Sequence, residues 1–90
     1  MSFLETITET RTQTSTAWFT PSDEDVAYLI SHANAQITES DDQLTRSIAT
    51  TWASQDALGA FISDARIQDI ITARRLYNQN NGIVLAVTYG

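Results

Sequence analysis

Threonine occupies six consecutive even positions near the start of this chain: Thr6, Thr8, Thr10, Thr12, Thr14 and Thr16. Extended backbone alternates its side chains between two faces, so a strict period of two puts all six hydroxyls on one side of a strand. The other side reads Glu5, Ile7, Glu9, Arg11, Gln13, Ser15, which is also mostly polar. A strand with two polar faces has little to bury within its own domain, so these threonines are a candidate interface with another chain. The pattern runs on into Ala17-Trp18-Phe19, and a strand from Glu5 to Phe19 would extend about 50 Å. A domain of this size is only about 30 Å across. The Trp18 end is therefore expected in the sheet, with residues 1–12 as an overhanging strand or arm.

Ninety residues, 42% of them hydrophobic, suit a single domain with one modest core. No apolar run reaches the ~20 residues of a membrane span, and no basic-then-apolar leader pattern is visible at the start. Cysteine is absent, which excludes disulfides and thiolate metal sites. Eleven acidic residues stand against five arginines and no lysine, for a net charge of −6. Binding to phosphates needs a basic face, so nucleic acid and anionic membranes are not expected partners.

Downstream, Pro21 and Ser22 open a helix, with Asp23, Glu24 and Asp25 at its positive end and Val26, Leu29, Ile30 and Ala33 as a buried stripe. This predicts a helix over roughly Ser22 to Asn34. Residues 36–39 read as a short strand that turns at Ser40-Asp41-Asp42 into a second one, Gln43 to Trp52. Leu44, Arg46, Ile48, Thr50 and Trp52 share one face of that second strand. Ser54 caps the next helix. Its stripe of Leu58, Phe61, Ile62 and Ala65 falls out of phase with Ile67, Ile70 and Ile71, so the helix is expected to break near residues 64–66, with Ser63 or Asp64 capping the second part. Asn80-Asn81-Gly82 ends it, and Ile83 to Tyr89 reads as an apolar strand that is central or well covered.

The order β-α-β-β-α-β predicts a ferredoxin-like α+β fold: a four-stranded antiparallel sheet with two helices on one face. Were residues 36–39 only loop, the order would be β-α-β-α-β with a smaller sheet.

The passage Thr51-Trp52-Ala53-Ser54-Gln55-Asp56-Ala57, with Phe61 after it, resembles the strand-to-helix passage of the dimeric α+β barrel superfamily. That superfamily includes the antibiotic-biosynthesis-monooxygenase-like domains. The chain also resembles small uncharacterised proteins of tailed bacteriophages. The likeness there lies in the Thr-rich first strand ending in an aromatic pair, in Trp52-Ala53-Ser54-Gln55, and in Leu76-Tyr77-Asn78 leading into Asn81-Gly82-Ile83. The barrel resemblance implies a pocket between sheet and helices near Trp18, Trp52, Phe61 and Tyr77. It also raises a haem-ligating role for His32, set against a plain surface histidine.

Chemistry-bearing patterns are sparse. His32 is the only histidine, so zinc sites built from histidine and cysteine are excluded. Asp23/Glu24/Asp25 and Glu39/Asp41/Asp42 lack the spacing and the glycine of a calcium loop, and read as a helix start and an acidic turn. Ser22 and Ser54 sit in no nucleophile-elbow pattern. No catalytic, metal or cofactor residue is assigned on this basis. The reading that follows is a non-enzymatic, self-associating phage virion or accessory component. The alternative is a ligand-binding or cofactor-free monooxygenase-like dimeric α+β barrel protein, and a further one an acidic inhibitor of a host protein.

Overall fold

The computed structural model describes residues 2–90. In chain order the elements are β1 (Phe3–Thr10), α1 (Asp23–His32), β2 (Ala35–Glu39), β3 (Thr45–Trp52), α2 (Gln55–Ile62), α3 (Ala65–Asn81) and β4 (Val84–Tyr89). The strands form one antiparallel sheet in the order β2-β3-β1-β4, with the helices on one side. This is the ferredoxin-like α+β arrangement, the short strand at residues 36–39 included.

Local chemistry sets the boundaries. The Ser22 hydroxyl accepts from the Asp25 amide and the Ser54 hydroxyl from the Ala57 amide, so each serine caps the helix that follows it. Asp64 accepts from the amides of Arg66 and Ile67, which separates α3 from α2. Gly82 closes α3 in the left-handed region at φ 68, where a Cβ would be strained. The β2–β3 turn is held by Asp42, which accepts from the Ser40 hydroxyl (2.6 Å) and the Leu44 amide (3.0 Å).

Three expectations are corrected. β1 ends at Thr10, not Phe19, and is flanked on both sides, by β3 and β4, so residues 3–10 are the middle of the sheet and not an overhang. Arg11 ends it: its backbone amide still bonds Leu44, but its side chain folds back to donate to the carbonyls of Gln43 (2.9 Å) and Thr16 (2.8 Å). Thr12, Thr14 and Thr16 thus lie in an irregular strap that leads to α1, and Trp18 lies there too. Second, the odd face of β1 is the buried one. Ile7, Glu9 and the adjoining Arg11 are buried, while Thr6, Thr8 and Thr10 look out from the open side of the sheet. Third, β4 is an edge strand, and Val84, Val87 and Tyr89 are exposed. Apolarity on both faces of β4 suggested cover that three helices on one side of the sheet do not supply.

The core lies between the sheet and the helices α2 and α3. Ile7, Trp52, Leu58, Ile67, Ile70 and Ile83 are its buried apolar members.

Candidate functional site

The aromatic pocket expected from Trp18, Trp52, Phe61 and Tyr77 is divided by the fold into two separate places. Trp52 sits at the last residue of β3, and Trp18 packs against Arg46 near the first, about 20 Å away along the strand.

At the Trp52 end, the indole packs on Phe61 with ring centroids 4.9 Å apart. Beside this pair opens a cleft of about 450 Å³, bounded by His32 at the end of α1 and Asn34 beyond it, by Thr51–Ala53, and by Ala57, Ala60 and Phe61 of α2. Alanines where larger side chains would fill the space keep it open. Trp52 is buried, and its Nε1–H has no hydrogen-bond partner among the described residues. A buried donor left unpaired costs about 1–3 kcal/mol.

The polar rim of the cleft is ordered by Tyr28 and Asp64. Tyr28 donates to Asp64 Oδ2 at 2.6 Å, and its ring stacks on His32 with centroids 4.3 Å apart. His32 Nδ1 lies 2.9 Å from the Tyr28 carbonyl. A carbonyl only accepts, so the neutral ring carries its proton on Nδ1 and its lone pair on Nε2. His32 is exposed and tied to its own helical turn.

The Tyr28 hydroxyl and the Ile67 amide hold the Asp64 carboxyl below its ordinary range, while the same Tyr28–Asp64 bond raises the tyrosine. Ser40 and the Leu44 amide hold Asp42 low in the same way. The unfolded chain then binds protons that the folded chain does not. Stability from these carboxylates is present in full above about pH 4 and is lost as pH falls through the depressed folded values. Melting temperature measured from pH 2 to 6 should drop on the acid side. Asp64→Asn, which keeps a capping oxygen, should flatten that drop.

A second cleft, of about 470 Å³, lies between the strap and α3 and is bounded by Phe19, Pro21, Asp25, Arg66 and Ile70. An exposed Arg66–Asp25 ion pair at 3.0 Å spans it, and it holds no unpartnered buried polar atom among the described residues. Tyr77 lies near its margin: the ring packs on Phe19 at 5.7 Å and the hydroxyl donates to the Ala17 carbonyl.

Between α3 and the sheet lies a charged cluster that sequence reasoning missed. Glu9 is fully buried; one oxygen accepts from Arg46 at 2.5 Å and the other from Asn78 Nδ2 at 3.2 Å. Arg46 Nε and Asn78 Oδ1 have no partner among the described residues. Burial lowers the Arg74 guanidinium, an effect that Glu9 and Glu5 oppose. The ring of Trp18 lies between two cations, with Arg11 at 4.2 Å and Arg46 at 5.0 Å from its centroid, and its Nε1 donates to Glu39 at 2.6 Å. One signal could have revealed this cluster: Arg46 falls on the apolar face of β3, and Glu9 is its direct cross-strand partner.

Among the described residues no group of three or more His, Asp or Glu side chains is placed to hold a metal ion, and no helix is long and apolar enough to cross a membrane. The acidic groups at residues 23–25 and 39–42 lie in the first turn of α1 and at the β2–β3 turn.

No protein family's sequence profile matches the chain, and no curated protein matches its sequence. Among solved structures it is similar to a proposed antibiotic biosynthesis monooxygenase from Deinococcus radiodurans. The TM-score is 0.58 at 13% identity, over 98% of this chain and 89% of the other. It also resembles Rv0793 from Mycobacterium tuberculosis, at TM-score 0.49 and 12% identity over 96% and 92% of the two chains. The chain thus shares its fold with the Deinococcus protein. The expectation of a phage virion component, and with it that of a non-enzymatic structural role, is overturned by that likeness: the Deinococcus neighbour is a bacterial protein named as a proposed monooxygenase, not a phage component. Short capping and packing motifs had suggested phage proteins, and such motifs recur wherever a strand meets a helix.

Proposed function

We propose that the chain is a small-ligand-binding protein of the dimeric α+β barrel type, holding a small aromatic molecule in the cleft beside Trp52 and Phe61. The observation that carries this reading is the stacked Trp52–Phe61 pair walling a cleft of about 450 Å³. That volume falls within the range of sites for small molecules, which pair apolar walls with a few aimed polar groups. A ring carrying a hydroxyl or carbonyl oxygen could stack on the aromatic pair with that oxygen toward the polar rim. The Nε2 lone pair of His32 at the rim could take a proton from a phenol, the step a monooxygenase-like reaction on such a ligand would begin with. Tryptophan fluorescence and thermal shift against a panel of phenols and quinones test this. A ligand at 100 times its dissociation constant should add about 2.7 kcal/mol of stability. A panel that leaves both fluorescence and melting unchanged would overturn the reading.

The same reading takes the open sheet face as the contact with a second copy. Its outward residues, among them Thr6, Thr8, Thr10, Ser47, Ala49 and Ala86, carry no charge in a chain of net charge −6. Thr8 lies between Ser47 and Ala86, so Thr8→Arg puts a cation at the centre of that face. Light scattering should give about half the wild-type mass for this variant.

A further inference from the structure

We infer that the cleft beside Trp52 selects aromatic amines, with the ring against Trp52 and Phe61 and the ammonium paired to the carboxylate of Asp64. This rests on the ligand-binding reading above and narrows it from small aromatic molecules to one charge class.

Asp64 reaches the cleft because the helices break where they do. It is the N-cap of α3, and its amide bonds the Phe61 carbonyl at 3.2 Å. The aromatic wall and the carboxylate are therefore held together by one turn of backbone, and both border the cleft. The charge that starts α3 is only partly engaged there. Oδ1 accepts from the Arg66 and Ile67 amides at 2.9 and 3.1 Å, while Oδ2 accepts from the Tyr28 hydroxyl at 2.6 Å. An ionised carboxylate offers about four lone-pair sites, so Oδ2 keeps one open. Arg66 does not neutralise it: the guanidinium is turned to Asp25 at 3.0 Å and borders the second cleft instead.

The rest of the rim has the same preference. Among the described residues no arginine borders the Trp52 cleft, and the chain has no lysine. Neutral His32 presents the Nε2 lone pair and Asn34 an amide oxygen, so the side chains around the opening are rich in acceptors. A ligand carboxylate would bring a second anion beside Asp64 with no cation to offset it. An ammonium brings three donors and the opposite charge. The net charge of −6 raises the local concentration of cations over the whole surface, and the Trp52–Phe61 wall retains those that carry a ring. The second cleft also has carboxylates, Asp25 and Asp69, and a ring, Phe19, but there Arg66 already occupies Asp25.

Three probes of similar shape separate charge from shape: phenethylamine, phenethyl alcohol and phenylpropionate. In titrations of the wild-type protein followed by amide chemical shifts, the amine should bind about fivefold more tightly than the alcohol, the worth of an exposed ion pair, and the carboxylate more weakly than either. The shifts should centre on Ala57, Ala60, Phe61 and Asp64. Asp64→Asn keeps a capping oxygen and removes the charge, so it should bring the amine level with the alcohol and leave the alcohol unchanged. Asp69→Asn removes an equal charge beside the second cleft and should alter neither. Salt should narrow the gap between amine and alcohol in the wild-type protein, a measurement that depends on no variant folding. An amine that binds no better than the alcohol, a gap that salt leaves unchanged, or a preference that survives Asp64→Asn or is lost in Asp69→Asn overturns the selection of amines. Failure of all three probes while phenols still bind at the cleft overturns it too and leaves the ligand-binding reading standing; failure of the phenols as well overturns both.

Discussion

Glu9→Gln should destabilise the chain by about 3–5 kcal/mol, a large share of the ~5–15 kcal/mol that holds a domain together. The substitution hardly changes volume, so the loss is electrostatic. Glu9 has no exposed surface, and its partner Arg46 keeps 14% of its side chain accessible. Replacing the carboxylate by an amide leaves the Arg46 guanidinium buried against a neutral acceptor, with its charge uncompensated. Cavity formation contributes little, which separates this variant from an ordinary core truncation. Urea unfolding should move to a lower midpoint with an unchanged slope, since the surface exposed on unfolding is the same. Replacing both partners, Glu9→Leu with Arg46→Met, should recover much of the loss, because removing both charges also removes the cost of dehydrating them. The recovery will be incomplete, because Arg46 also covers Trp18 and Asn78 loses its acceptor. A Glu9→Gln loss under about 1 kcal/mol would mean that water reaches the carboxylate and the pair is not closed.

That buried pair also shows where reading the sequence reaches its limit. Helix ends were legible because caps act within four residues: Ser22, Ser54, Asp64 and Gly82 each terminate an element through a neighbour in the chain. The turn at Ser40-Asp41-Asp42 was legible for the same reason, whereas the strand at residues 36–39 stayed one of two alternatives. Glu9 and Arg46 are 37 positions apart, and each alone reads as an exposed charge. Only the register of β1 against β3 makes them partners, and once they pair, a side of β1 that reads as mostly polar becomes its buried one. The threonine run misled in the same way. Period two is a property of extended chain and says nothing of where the strand stops; Arg11 stops it by bonding carbonyls at Gln43 and Thr16. The candidate site was half legible. Trp52 and Phe61 do adjoin, as a strand end and the next helix place them, whereas Trp18 and Tyr77, which the barrel resemblance grouped with them, lie elsewhere in the fold. The unpartnered indole N–H and the alanines that leave room beside it emerge only from packing.

Trp52 permits stability and recognition to be separated, and two substitutions should behave differently. Trp52→Ala removes a buried aromatic from between the sheet and α2 and should cost about 3–5 kcal/mol. Any ligand dependence would disappear with it, so that variant alone cannot distinguish a wall of the core from a binding group. Trp52→Phe separates the two. It keeps a ring against Phe61, and it removes an N–H that has no partner among the described residues. The lost contact area and the relief of an unpaired buried donor act in opposite directions, so the stability change should be much smaller than for alanine. Binding should respond otherwise. A ligand that accepts from the indole N–H loses that bond, worth about 1 kcal/mol, or roughly fivefold in affinity. A purely stacked ligand loses little. The informative experiment titrates the same phenol or quinone into wild-type and Trp52→Phe protein, following melting temperature because the fluorophore differs. Near-native stability with weakened binding would place the indole N–H in the recognition of an oxygen acceptor. Near-native stability with unchanged binding would remove the N–H from recognition and leave the aromatic wall as the element that selects the ligand.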